Sequence, residues 1–443
     1  MKRSLALLAL QFPPIGGGYS ERIAGFAKFW CRESDLDLHV ICAKPDGLGM
    51  PIDKSGEAEI AKASSITRLT TISGWMNSGF IGKIAPFRPI AKVFSKLIPV
   101  DHQLPWSLAA GRHAERLYKE GKISAILTSS TPYSVHVAGL RLKRRHPDLR
   151  WIADFRDPWT TNYQHRFIRR LPFSKTFHKW LEQAVYDKAD AVIINTHQNL
   201  NDLDGPFRID RCKMHVIQNG YDPELDFSVS PLEPRVDGEF RLGFIGGSRG
   251  DWFEGPLHRA IAHLKKADPQ AYQQLQVPLI GTSEVKGSLP TRLGIADRLK
   301  PQGFVERREL GSRVSGLDAL VLILPDNNER PLGWVPQRLY LFLATGLPIL
   351  CIAPEGEAAT YVRESGHGTV VAPSETAKIS EILSSWIASP PQPYPSYHTP
   401  IRKFSKSTLA TKLLALIFPD ERLGGQSRMI AGCSSVNGPE TLS

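Results

Sequence analysis

The stretch Ser4–Gly18, SLALLALQFPPIGGG, decides how the rest of the chain is read. Ser4–Gln11 is a nearly unbroken apolar run, the pattern of a short strand buried on both faces. Gln11-Phe12-Pro13-Pro14-Ile15-Gly16-Gly17-Gly18 cannot extend it, because proline lacks the ladder N–H and glycine weakens any ladder. Glu21–Arg32 then carries apolar residues at helical spacing. A buried strand, a glycine turn and a helix make half of a crossover unit, which returns the chain to a parallel neighbour.

That rhythm recurs. Further strands are predicted at Leu36–Cys42, Ala125–Ser129, Arg150–Phe155, Ala191–Asn195 and Met214–Gln218, with helices at Ser107–Lys119, Tyr133–Arg144 and Phe177–Asp187. After the Pro/Gly/Asp-rich stretch Asn219–Gly238 it starts afresh. Strands fall at Arg241–Gly246, Val277–Gly281, Ala319–Leu324, Pro348–Ile352 and Thr369–Ala372, and helices near Leu257–Lys266, Gln337–Thr345, Ala358–Glu364 and Glu375–Ser385. The expected fold is α/β: two doubly wound domains facing each other across a cleft, where a ligand would sit at the strand C-termini. The boundaries are 1–218 for the first domain, 219–240 for a linker and 241–390 for the second. Residues 391–423 form a proline-rich connector and a final helix packing back toward the first domain, and 424–443 a loose tail rich in Gly and Ser.

Composition narrows the class. The chain has 443 residues, 42% of them hydrophobic and 22% charged, enough to bury cores and too apolar for a disordered body. No apolar run reaches the length of a membrane-spanning helix. The net charge is +11, but residues 1–220 hold 32 Lys and Arg against 20 Asp and Glu, or +12, while the remaining 23 and 24 leave −1. An anionic partner should therefore meet the first half. No helix-turn-helix, zinc finger or aromatic RNA-binding signature accompanies the charge, so nucleic acid is not expected. Met1-Lys2-Arg3 and the apolar run after it imitate a signal peptide, but the run is short and ends in QFPP without a small-x-small site. Five cysteines in unpaired spacing fit a reducing, cytoplasmic compartment.

Two strand ends carry chemistry. The glycine loop Gly16-Gly17-Gly18 lets backbone N–H groups approach a ligand and leads into a helix N-terminus. Its spacing is not G-x-G-x-x-G, and no ribose-binding acid ends the second strand, so a nicotinamide cofactor is not indicated. Trp151-Ile152-Ala153-Asp154-Phe155-Arg156-Asp157-Pro158-Trp159 packs two carboxylates and a guanidinium into four residues at a strand end. Alternation points Asp154 and Arg156 to one side and leaves Asp157 where a cleft opens. These groups could orient or deprotonate a hydroxyl, or Asp and Arg could simply staple the strand end.

DFRDPW after a strand, GGG after the first strand, VIQNGYD at the linker and GFIGG opening the second half resemble the GT-B glycosyltransferases. The nearest likeness is to the retaining, family-4-like group of bacterial polysaccharide biosynthesis. PVDHQLPW, Thr128-Ser129-Ser130-Thr131-Pro132 and the run Val335–Leu350 extend the resemblance over most of residues 1–420. It implies two Rossmann-like domains, the first holding the acceptor and the second a nucleotide-sugar donor, with no metal and no cofactor. Catalysis would fall to Asp157, supported by Asp154 and Arg156. The donor site would comprise Gly246, Gly247, Ser248, Arg249, Arg338, Glu355, Gly356 and Glu357. One departure stands out: the glutamate that grips the donor ribose in the family is Leu341 here, Gly333 lies where its partner acid would fall, and Glu329 is out of register. The usual Arg-then-Lys phosphate pair is half present at Arg249.

The reading of function is a glycosyltransferase moving a sugar from a nucleotide-sugar to a glycan acceptor, lipid-linked, for cell-surface polysaccharide. The alternatives are a catalytically weak homologue acting as a scaffold, or a GT-B-fold sugar-nucleotide epimerase. Basic and apolar residues alternate from Ile81 to Ile98, which suits either an anionic membrane interface or an ordinary packed surface helix. A place at the inner face of the plasma membrane follows from the first alternative.

Overall fold

The structure, a computed structural model, describes residues 3–419 apart from 34, 47, 51, 55, 72–99, 162–171, 226–237, 306–308, 325–331 and 395–398. The segment Ile81–Ile98, Glu329, most of the linker and the tail lie outside the described residues, as does most of Arg166–Lys175, a further run of basic residues in the sequence.

Two wholly parallel sheets organise the chain. In the first, β1 (Arg3–Ala9), β2 (Leu36–Ala43), β3 (Ser65–Leu69), β4 (Ala125–Ser129), β5 (Arg150–Phe155), β6 (Ala191–Ile194) and β7 (Met214–Val216) lie in the order 3-2-1-4-5-6-7. In the second, β8 (Phe240–Ile245), β9 (Leu275–Ile280), β10 (Leu299–Pro301), β11 (Ala319–Ile323), β12 (Ile349–Ile352) and β13 (Gly368–Val371) lie in the order 10-9-8-11-12-13. Each order reverses once, between β1 and β4 and between β8 and β11, which opens a crevice at the strand C-termini. The expected doubly wound pair of domains is what the chain forms.

The principal helices are α1 (Gly18–Trp30), α2 (Leu104–Lys119), α3 (Ser134–Arg145), α4 (Pro172–Lys188) and α5 (His197–Asn201) in the first domain. They are followed by α6 (Asp251–Ala267), α7 (Gln337–Thr345), α8 (Glu357–Ser365), α9 (Thr376–Ala388) and α10 (Lys406–Ile417). Alternation along β1 sends Leu5 and Leu7 to one face and Ala6 and Leu8 to the other, and both faces are covered. That is why β1 reads as a continuous apolar run.

Two edge strands, β3 and β10, are absent from the sequence reading. Every residue of β3 is only half-buried, and its Ser, Thr and Arg mask the apolar signal. Helix α6 begins six residues earlier than periodicity suggests because Pro256 lies inside it, and proline ordinarily marks a helix start.

The chain crosses between domains twice, and the crossings are stitched together. Tyr221 N donates to the Phe404 carbonyl at 2.9 Å, and Lys406 N to the Tyr221 carbonyl at 2.8 Å. Gly220 sits at φ 74°, where a Cβ would lie 2.5 Å from the Phe404 carbonyl, so only glycine fits. Helix α10 then packs on the first domain: Leu409, Ala410, Leu413 and Ile417 join its core, and Trp30 Nε1 donates to the Ala410 carbonyl at 3.0 Å.

Candidate functional site

A cleft of about 390 Å3 opens between the domains. Its first-domain wall includes Pro13, Ile15, Gly16, Gly17, Ser20 and Glu21, and its second-domain wall Ile245, Gly246, Val305, Gln337, Arg338 and Leu341. Gly18 is the first residue of α1, so the three glycines bring the backbone and a helix N-terminus to this opening.

Opposite them, the β8 strand end brings a glycine backbone and two arginines together. Gly246 takes φ 129°, and a Cβ there would lie 2.7 Å from an Arg338 guanidinium nitrogen. The lack of a side chain lets Arg338 reach the strand end, where it donates to the Ile245 carbonyl at 3.2 Å and lies over the rings of Phe244 and Phe253. Arg249 is exposed and stacks on Phe253 from the loop, at 5.0 Å. Gly247 is exposed; Ser248 is buried, its Oγ accepting the Lys286 N–H at 3.1 Å. Glu254, in the first turn of α6, accepts the Arg249 N–H at 2.7 Å, and burial pushes its carboxyl pKa up. Two arginines on one buried ring make a fixed cationic shelf beside a glycine backbone.

The DFRDPW stretch divides in the structure. Asp154 is wholly buried: its Oδ1 accepts from Arg22 at 2.9 Å and its Oδ2 from the Ser129 hydroxyl at 2.7 Å. Arg156, also buried, donates from Nε to the same Ser129 oxygen at 3.0 Å. Burial alone would raise the Asp154 pKa, but Arg22, Arg156 and these bonds outweigh it and hold the carboxyl below its ordinary value. Arg22 donates onward to the carbonyls of Ile217 and Gln218 and to Asn219 Oδ1, the residues that lead out of the domain. Asp154 therefore ties the strand end to the first interdomain crossing. Asp157 stands at the turn, half-buried and outside the walls of the 390 Å3 cleft. Tyr133 clamps that turn, its hydroxyl donating to the Pro158 carbonyl at 2.6 Å and its ring stacking on Trp159 at 5.2 Å.

Glu355-Gly356-Glu357 faces two ways. Glu355 is exposed and pairs with Arg363 on α8. The Glu357 carboxylate crosses to the first domain, accepting the N–H groups of His197 at 3.1 Å and Gln198 at 2.8 Å, and also the Tyr361 hydroxyl. Beside it the Gly333 carbonyl accepts the Thr196 hydroxyl at 3.0 Å, and a Cβ at Gly333 would come within 2.4 Å of Asn199 Oδ1. Position 333 has no room for an acid because α5 fills that space. Leu341 does line the cleft, presenting an apolar surface together with Val305, Leu310 and the exposed Phe304. Sequence reasoning missed Phe304, Gln337 and Glu21 as cleft residues: Gln337 lies in the run Val335–Leu350 with no role given to it there, and Phe304 and Glu21 fall on no motif and are gathered only by the fold. Among the described residues, no group of three His, Cys, Asp or Glu side chains converges as a metal site would require.

The whole chain is similar in fold to sucrose-phosphate synthase from Thermosynechococcus elongatus, with a TM-score of 0.59 at 15% identity, covering 94% of this chain and 98% of that one. It is similar also to a trehalose-6-phosphate protein from E. coli bound with UDP-2-fluoro glucose, with a TM-score of 0.52 at 12% identity over 93% and 95% of the two chains. The fold is GT-B. Within this GT-B chain, residues 78–225 match the model of Glycosyltransferase Family 4. The D-inositol 3-phosphate glycosyltransferase of Streptomyces bingchenggensis is 25% identical over 209 residues, 43% of this chain and 44% of the relative. The matched stretch spans about half the length of the curated relatives. No helix among the described residues is long and apolar enough to cross a membrane.

Proposed function

We propose that this chain is a glycosyltransferase: it takes a glycosyl unit from a nucleoside diphosphate sugar and passes it, with retention and without a metal, to a hydroxyl of a lipid-linked glycan for the cell surface. The observation that carries the reading is the cleft in which Gly16 and Gly17 face Gly246 and Arg338. The diphosphate lies along the Gly246–Arg249 loop, its charge offset by Arg338 and Arg249 rather than by a divalent cation. The base rests on the apolar wall of Phe304, Val305 and Leu310. Donor and acceptor are held by different domains, so closing the cleft brings the anomeric carbon to the acceptor hydroxyl and excludes water.

Asp157, on the clamped turn after β5, positions that hydroxyl, while Asp154 and Arg156 fix the strand end from behind. With a lipid-linked glycan and a uridine or guanosine diphosphate sugar, turnover by the full chain should survive a chelator, and the new linkage should keep the donor's anomeric configuration by proton NMR. Asp157→Asn should slow that turnover about a hundredfold at unchanged donor affinity. An unaltered rate would remove Asp157 from the acceptor site.

The scaffold reading is favoured by Leu341, which sets a hydrocarbon in the cleft where a ribose needs a hydrogen-bond acceptor. Leu341→Glu separates the two. On the enzyme reading, calorimetry should show nucleoside diphosphate binding by the wild type, tightened about tenfold by the added carboxylate. If neither protein binds uridine, guanosine or adenosine diphosphate at millimolar concentration, the scaffold is the better account.

A further inference from the structure

We propose that the first three turns of α4 are a docking surface for an anionic lipid bilayer, and that this surface sets the turn after β5 at the membrane. The proposal rests on the lipid-linked acceptor reading and names the surface that would serve it.

Helix α4 is apolar on two sides. Its inner side buries His178, Leu181, Val185 and Tyr186. Its outer side leaves Phe173 87%, Phe177 41% and Trp180 56% exposed. At 100° per residue these three fall within an arc of about 60°, and the Phe177 and Trp180 rings stack at 6.2 Å. A helix on an ordinary water-facing surface carries polar residues there; three large aromatics in a row mark a surface that something apolar covers.

Charge identifies the cover. Over Pro172–Leu181 the ionised side chains are Lys175 and Lys179, both exposed, and there is no carboxylate. They belong to the half of the chain that carries +12. Aromatic rings beside lysines are the composition of a membrane-interface helix, whose rings enter the acyl boundary while its ammonium groups stay among anionic headgroups. An apolar protein partner would require the rings and leave the charge without a role.

Position gives the surface its use. In a parallel sheet each following helix starts at the strand C-terminal edge, so the N-terminal turns of α4 share that edge with Asp157 and the cleft. Bonds join the two rigidly: Trp159 Nε1 donates to His178 Nδ1 at 3.0 Å, and Thr160 donates from its N–H and hydroxyl to Glu182 Oε2 at 3.0 and 2.6 Å. A bilayer that seats α4 therefore holds the acceptor turn at one fixed depth.

The test uses the full chain and vesicles of phosphatidylcholine with and without phosphatidylglycerol. Wild type should partition to the anionic vesicles and be released by high salt. Combining Phe173→Ser with Trp180→Ser should weaken partitioning tenfold or more with an unchanged thermal midpoint, since both positions are exposed. With brominated lipids, Trp180→Phe should abolish most of the tryptophan quenching, whereas Trp252→Phe, at an equally exposed tryptophan of the other domain, should not. Equal binding by the double variant, salt-independent binding, or quenching that survives Trp180→Phe would overturn the proposal. So would failure of the wild type to bind anionic vesicles, including the case in which the rings mediate self-association instead. Glycosyl transfer to a water-soluble glycan, equal in wild type and double variant, is read separately, so loss of the docking surface does not remove the transferase reading.

Discussion

Asp154→Ala is expected to destabilise the chain by about 3–5 kcal/mol, because it strands the buried Arg22 guanidinium without its counter-charge. In a domain of this size that corresponds to a fall of roughly 10 °C in the thermal midpoint, measurable by calorimetry. Arg22→Ala should cost as much and should also free the carbonyls of Ile217 and Gln218, so that scattering reports a wider spread of interdomain angles. Replacing both at once, Arg22→Met with Asp154→Leu, should recover much of the loss, since the apolar pair leaves no uncompensated charge. Two single variants no less stable than the double would show that the pair is not the anchor described.

The acid limb gives an independent check. The Asp154 carboxyl is held below its unfolded value of about 3.9. Its contribution to stability is therefore complete above that value and is lost as pH falls through the lower folded pKa. Between about pH 5 and about pH 2 the wild type should lose more stability than Asp154→Ala, which has no such proton to take up.

The second large effect is expected at Arg338. Removing a fixed cation from a charge-bearing site typically costs about 10²–10³ in rate, and Arg338→Met should lower kcat/KM for the nucleotide sugar within that span. The methionine still covers Phe244 and Phe253, so the fold should hold. Arg338→Lys keeps the charge but not the planar fork, and should recover only part of the loss. Gly246→Ala approaches the same site from the backbone, because its methyl group would occupy the space of the guanidinium, and should mimic Arg338→Met in donor binding. Unchanged donor affinity in both Arg338→Met and Gly246→Ala would move the diphosphate away from β8.

Much of the frame was legible because buried parallel strands write themselves as short apolar runs. The predicted limits of β4, Ala125–Ser129, and of α7, Gln337–Thr345, coincide with the observed ones. Alternation placed Asp154 and Arg156 on one side of β5, and both meet at Ser129. It could not supply Arg22, which lies 132 residues away and is brought in by the packing of α1. Glu357 shows the same limit from the other side. The resemblance put it in the donor site, and its carboxylate spans the domains to α5, a contact with no local signature. The glycine at 333 looked like a missing acid, and becomes intelligible only when Asn199 is seen to fill the space a side chain would need. Pairings across more than a hundred residues are properties of the fold, and a single sequence does not display them.

The return of α10 to the first domain has a consequence for how the molecule is made. Helix α10 packs on α1 and β5, with Leu409, Leu413 and Ile417 in one core with Trp30 and Ile152, so that flank stays open until α10 leaves the ribosome. Roughly 190 residues separate β7 from α10, and at about 5–20 residues per second the wait is of the order of 10–40 s. During that time the first domain is a nearly finished sheet with an uncovered apolar flank, a natural client for a holdase. Moving α10 to the front of the chain by circular permutation would close that window, because the cover would then be synthesised before the face it covers.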